Sequence, residues 1–147
     1  MHHCFVIPDA IAHIHGSSEY PHLMGEAHFY QKGDCVLIKI RVCGLPSSES
    51  GFFALHIHEG CGCSGADFSK TGGHYNPKKL PHPRHAGDLP PLLQCGCGAY
   101  LETLTDRFCV SDIIGRTMVI HSGPDDFTSQ PVGNAGTKIA CGMICSK

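Results

Sequence analysis

Cys35-Val36-Leu37-Ile38-Lys39-Ile40-Arg41-Val42-Cys43 is the stretch that decides the fold. Its β-branched residues stand at Val36, Ile38, Ile40 and Val42, one face of a period-two pattern, and the reading is a half-buried strand. Turn signals bracket it, Lys32-Gly33-Asp34 before and Gly44-Leu45-Pro46-Ser47-Ser48 after. Upstream, Ala10–His15 alternates, with Ile11 out of phase, and Glu26–Tyr30 is a second short run beyond Gly16-Ser17-Ser18. Downstream, Gly51–Glu59, Ala99–Thr105, Arg116–Ser122 and Thr137–Cys145 read the same way. Seven or eight short strands, with no helix signal and no repeat, predict an all-β sandwich or barrel.

Two segments break the pattern. Gly60–Pro91 shows neither alternation nor a helical stripe and carries six Gly and five Pro. A stretch this long without structure in a compact domain is expected to be functional or disordered. Gly123–Gly136 is a second, shorter loop. The length of 147 residues predicts one domain, 1–147, with 1–9 as an N-terminal extension.

Composition narrows the function. Charged residues make up 16% and the net charge is -2, which argues against a nucleic-acid binder held by a basic surface. Hydrophobic content of 41% argues against a disordered chain. No apolar run approaches the roughly 18 residues of a membrane span, so no membrane partner is expected. Twelve histidines and ten cysteines are the outlying numbers. The opening MHHCFVIPDAIAHIHG has neither a basic start nor an apolar stretch of about 7–15 residues, so a cytoplasmic location is favoured. The cysteine count pulls towards an oxidising compartment, and an extracytoplasmic location stands as the alternative.

The histidines sort by position. His56 and His58 flank Ile57 in a strand run, and residues i and i+2 share a face, so both imidazoles can reach one ion. The long loop adds His74, then His82, His85 and Asp88 at every third position. His121 ends a later strand run. Four imidazoles suit copper, and three imidazoles with one carboxylate suit tetrahedral zinc. These seven residues fill two four-coordinate sites only if one histidine serves both. A deprotonated imidazole offers both ring nitrogens, and His74, between the strand pair and the loop trio, is the natural bridge.

With these residues in view, the chain resembles the copper/zinc superoxide dismutases, bacterial branch, from about Ala10 to Ile144. FALHIHEG, GGHYNP, RHAGDLP, GRTMVIHSGPDD and GNAGTKIACGMI carry the resemblance. It implies a Greek-key β-sandwich or flattened barrel of about eight antiparallel strands with two long functional loops. Copper would be held by His56, His58, His74 and His121, and zinc by His74, His82, His85 and Asp88. Asp125 would accept hydrogen bonds from one imidazole of each metal. Cys63 and Cys141 would form a disulfide. The implied reaction turns superoxide, the small anionic substrate, into oxygen and hydrogen peroxide by Cu(II)/Cu(I) cycling, with His74 as ligand and proton donor in turn. At the position where the family places an arginine over the copper stands Lys138, which keeps the charge and loses the planar fork. Reduced but real activity is the expectation. The alternative is a non-enzymatic copper- or zinc-binding relative on the same scaffold. A homodimer remains open.

The surplus thiols and imidazoles admit several readings. The pairs Cys61/Cys63 and Cys95/Cys97 could chelate a soft metal, join the loops by further disulfides, or stay reduced. Cys35, Cys43 and Cys109 read as core thiols. Cys4 and Cys145 would lie close if the first and last strands are neighbours. Met1-His2-His3 is an amine–imidazole chelate or, more simply, a tail. His13, His15, His22 and His28 read as surface residues.

Overall fold

The computed structural model describes residues 6–147. The tail imidazoles His2 and His3, and Cys4, fall outside the described residues. Nine strands form in chain order: β1 (Ala10–Gly16), β2 (Met24–Lys32), β3 (Cys35–Cys43), β4 (Phe52–Phe53), β5 (Leu55–His58), β6 (Leu92–Leu93), β7 (Gly98–Thr105), β8 (Thr117–His121) and β9 (Lys138–Ser146). Seven make one curled antiparallel sheet in the order β5-β8-β9-β1-β2-β3-β7, and β4 pairs with β6. The architecture is that of a Greek-key β-sandwich. Strands β1, β2 and β3 are hairpin neighbours, whereas β9 returns from the end of the chain to lie beside β1.

The period-two pattern places the core. In β3, Val36, Ile38, Ile40 and Val42 are buried, and Cys35, Leu37, Lys39, Arg41 and Cys43 face outward. Ala10, Ala12 and Ile14 of β1 and Ala27 and Phe29 of β2 complete that inner face, and Ile11 is indeed out of phase. Each fully buried Ile or Phe contributes roughly 1.5–3 kcal/mol of transfer free energy.

Strands β5 and β8 depart from alternation because both of their faces are covered. Leu55, Ile57, Met118 and Ile120 join the main core. Val119, on the opposite face, packs with Phe68, Cys141 and Cys63 beneath the long loop. His56 and His58 share that loop-covered side by their parity with Val119 and Thr117, their pairing partners. The run Gly51–Glu59 is not one strand. Ala54 interrupts it, giving its N–H to the Gly123 carbonyl and its carbonyl to the His121 N–H.

Two short helical pieces also form where none is signalled. Ala66–Thr71 is a 3-10 stretch kinked at Asp67 and Phe68, whose φ values of 56° and 54° are left-handed. Val110–Ile113 is a single α turn in which the Asp112 carboxylate accepts the Cys109 N–H at 2.8 Å. Cys109 is therefore an exposed cap residue, Cys43 is exposed on the outer sheet face and Cys35 is half-buried, so none of the three is a core thiol.

Candidate metal centre

The long loop is laid against β5 by backbone hydrogen bonds. Ile57 donates to the Gly87 carbonyl at 2.9 Å, and its own carbonyl accepts the Tyr75 N–H at 2.8 Å. A Cβ on Gly87 would fall 2.1 Å from the Ile57 carbonyl oxygen, so only glycine lets the loop approach this closely. Bridge-like pairing sets His74 opposite His58 and Asp88 opposite His56.

All seven residues singled out by sequence converge, and all are buried. The ligand atoms of His56, His58, His74 and His121 lie within 4.8 Å of one another, as do those of His74, His82, His85 and Asp88. His74 belongs to both groups. In the first group, His58 Nε2 and His121 Nε2 are 3.2 Å apart, and the His56 and His74 ring centroids 3.9 Å. In the second, His74 Nδ1 lies 2.8 Å from Asp88 Oδ1 and 3.2 Å from His85 Nδ1.

The ring nitrogens are divided in a way that fits two ions. His56 and His82 donate from Nε2 to the two oxygens of Asp125, each at 2.8 Å. His58 donates from Nδ1 to the Gly72 carbonyl at 2.8 Å. What remains is His56 Nδ1, His74 Nε2 and His82 Nδ1, buried and without a hydrogen-bond partner. His82 Nδ1 does sit 3.0 Å from Asp88 Oδ2, but without hydrogen-bond alignment, as expected of two atoms aimed at a shared third point. An unsatisfied buried polar atom costs about 1–3 kcal/mol, and three together in one pocket call for an electrophile. The donor set fits copper on the four-imidazole side and zinc on the carboxylate side.

The electrostatics keep these side chains in the forms that can bind a metal. Burial pushes the His58 imidazolium down to about 2, with neighbouring His121, His74 and the Lys138 ammonium adding to the push. Burial likewise takes His121 down to about 3, and it lowers His56 and His85. For Asp88 and Asp125 burial acts upward, but hydrogen bonds from the surrounding imidazoles outweigh it and hold both carboxyls below the usual range. At neutral pH these four rings are neutral and both acids ionised, which is the state that metal ligation requires.

The supports of the loop lie far away in sequence. Cys63 and Cys141 are joined as a disulfide across 78 positions, with their Cα atoms 5.7 Å apart. It pins the loop to β9. Lys138 donates from Nζ to Thr71 Oγ1 at 2.7 Å and to the Gly72 carbonyl at 3.0 Å. Arg107 spans three carbonyls of the loop segment that carries His82, His85 and Asp88, those of Pro83, His85 and Asp88, at 3.0, 3.0 and 3.4 Å. Arg116 lies 4.0 Å over the Tyr75 ring and donates to the Glu59 carbonyl at 3.1 Å, bracing the residues that follow His74 and His58. Gln130 closes a reciprocal pair with the backbone of His82. Arg107, Arg116 and Gln130 leave no local signal in the sequence, because the loop backbone atoms they bind are brought near only by the fold, and Thr71 leaves none because its distant partner is the Lys138 ammonium.

The remaining histidines and cysteines stay outside the centre. His13, His15 and His22 are exposed, and His28 pairs with Glu26 on the outer face at 2.9 Å. Cys61, Cys95 and Cys97 are exposed and free, so no further disulfide joins the two loops among the described residues. No cysteine enters either ligand group there. Among the described residues no helix is long and apolar enough to cross a membrane.

Comparison with known proteins adds the family. The model for copper/zinc superoxide dismutase matches residues 23–144. Superoxide dismutase [Cu-Zn] 1 of Aquifex aeolicus (strain VF5) is 36% identical over 136 residues, 82% of this chain and 79% of that protein. The extracellular superoxide dismutase [Cu-Zn] of Caenorhabditis elegans is 37% identical over 138 residues, 83% of this chain and 61% of its own length. The superoxide dismutase [Cu-Zn] of Caulobacter vibrioides is 32% identical over 126 residues, 74% of this chain and 71% of that protein.

Proposed function

The chain belongs to the copper/zinc superoxide dismutase family, and from that premise we propose that it converts superoxide to oxygen and hydrogen peroxide at the His74-bridged centre. One observation carries the residue assignment: the three buried, unpartnered nitrogens on His56, His74 and His82. His56 through Nδ1, with His58, His74 through Nε2 and His121, would hold copper. His74 through Nδ1, with His82, His85 and Asp88, would hold zinc. Copper supplies the one-electron exchange with each of two superoxide ions when bound, and zinc fixes the loop without redox chemistry.

The chain's own groups do the rest. Asp125 orients one ring from each half of the centre, coupling their positions through a single carboxylate. His74 Nε2 is the atom at which a proton is held and passed on, because its Nδ1 is engaged by Asp88 and His85 on the other side. Lys138 draws the anion towards the four-imidazole side, where its charge is felt by His58 and His121. The dismutation consumes two protons for every two superoxide ions, and His74 delivers one of them.

Metal analysis together with a superoxide assay tests this reading. The wild-type chain is expected to hold one copper and one zinc. His121→Ala should abolish turnover and retain zinc, whereas His74→Ala should weaken both metals at once. Zinc alone, with no turnover after copper loading, would instead identify a metal-binding relative without enzymatic activity. Loss of a single metal from His74→Ala would remove the bridge assignment.

A further inference from the structure

We propose that Thr71 is a positioning residue for Lys138, its hydroxyl tethering the Lys138 ammonium so that one N–H stays directed at the substrate anion. The inference rests on the reading of Lys138 as the cation that draws in superoxide. Thr71 is fully buried at the end of the kinked 3-10 stretch. Its hydroxyl donates to the Phe68 carbonyl at 2.8 Å. With that proton committed, the oxygen's lone pairs are what it presents to Lys138 Nζ, 2.7 Å away.

The second anchor ties the ammonium to the centre itself. Lys138 Nζ also donates to the Gly72 carbonyl at 3.0 Å, and the same oxygen accepts the His58 Nδ1–H at 2.8 Å. One carbonyl thus references the ammonium to a ring of the four-imidazole group. An ammonium has three N–H donors. Two are spent on Thr71 and Gly72, and one remains for a ligand. A lysine on a single anchor would swing about its flexible four-carbon stem, whereas an arginine brings its own planar fork. The Thr71 hydroxyl gives this lysine the second fixed point that its side chain lacks.

A double-mutant cycle in the metal-loaded, disulfide-intact protein tests the proposal, read by superoxide kcat/KM and by the Kd for azide from the copper visible band. Thr71→Val is expected to lower kcat/KM and weaken azide binding by about three- to tenfold, with metal content unchanged. Thr71→Ser should restore both values. In the Lys138→Gln background, which has already lost the ammonium, Thr71→Val should add nothing. A merely structural role for Thr71 would make its effect equal in both backgrounds, and that outcome, or a Thr71→Val protein with wild-type values, overturns the tether. If Lys138→Gln alone leaves both readouts unchanged, the reading of Lys138 itself fails, and the tether with it. Should Thr71→Val not take up both metals, Thr71→Ala completes the same cycle.

Discussion

Asp125 shows how much of this centre depends on a side chain placed to touch no metal. Its two oxygens accept from His56 and His82 at 2.8 Å each, and its Oδ1 also takes the Phe127 N–H at 2.7 Å. These bonds fix which nitrogen of each ring carries the proton, leaving Nδ1 of both rings free to ligate. Gly133 closes over the same carboxylate: with φ at +67°, a Cβ there would fall 2.0 Å from Asp125 Oδ1. Asp125→Ala removes both acceptors at once, so neither ring keeps the tautomer that leaves its Nδ1 free. Copper and zinc affinities are each expected to fall by roughly 10–100-fold, as measured by competition with a chelator. A change confined to one metal would show that the carboxylate serves only one of the two rings.

At the level of elements, the long loop depends on attachments that no local pattern announces. The strands are legible because burial imposes period two, and β3 is the plainest case. The seven candidate ligand positions are legible because chemistry restricts the residue types and spacing that can meet an ion. The break at Ala54 is not legible, since its cause is the His121–Gly123 segment more than sixty residues away. Cys43 stands opposite in phase to Val36, Ile38, Ile40 and Val42, so parity alone places it outside, and apolar character misleads when read without it. The bridge between Cys63 and Cys141 is the strongest of the attachments. Closing a loop of 78 positions constrains the unfolded chain by about 4 kcal/mol in the chain-entropy account. Cys63→Ala should therefore lower thermal stability markedly. It should also weaken copper retention, because the freed segment carries Gly72, whose carbonyl orients His58. Unchanged copper retention at reduced melting temperature would confine the bridge to stability alone.

For the whole molecule, the centre sets how the metal-free protein responds to acid. His58 and His121 protonate only at about 2 and 3 in the folded chain, and His56 and His85 are shifted in the same direction, chiefly by burial. In the unfolded chain each returns to about 6.5. Below that pH the unfolded state binds more protons, so folding stability falls as pH drops, and the fall continues towards the folded values. At pH 5 the loss is about 2 kcal/mol for each of His58 and His121, a large share of the roughly 5–15 kcal/mol that holds a typical domain folded. Asp88 and Asp125 are also lowered, and their contribution is present above the unfolded carboxylate value near 3.8 and lost below it. The imidazole and carboxylate windows are therefore separate. Melting curves of the chelator-treated protein between pH 7.5 and 4.5 should show the midpoint falling from just below pH 7, well before the carboxylates titrate. A midpoint that stays flat down to about pH 4.5 would mean that the buried rings open to water once the metals leave, and that the ligand cage is held together by its ions rather than by the fold.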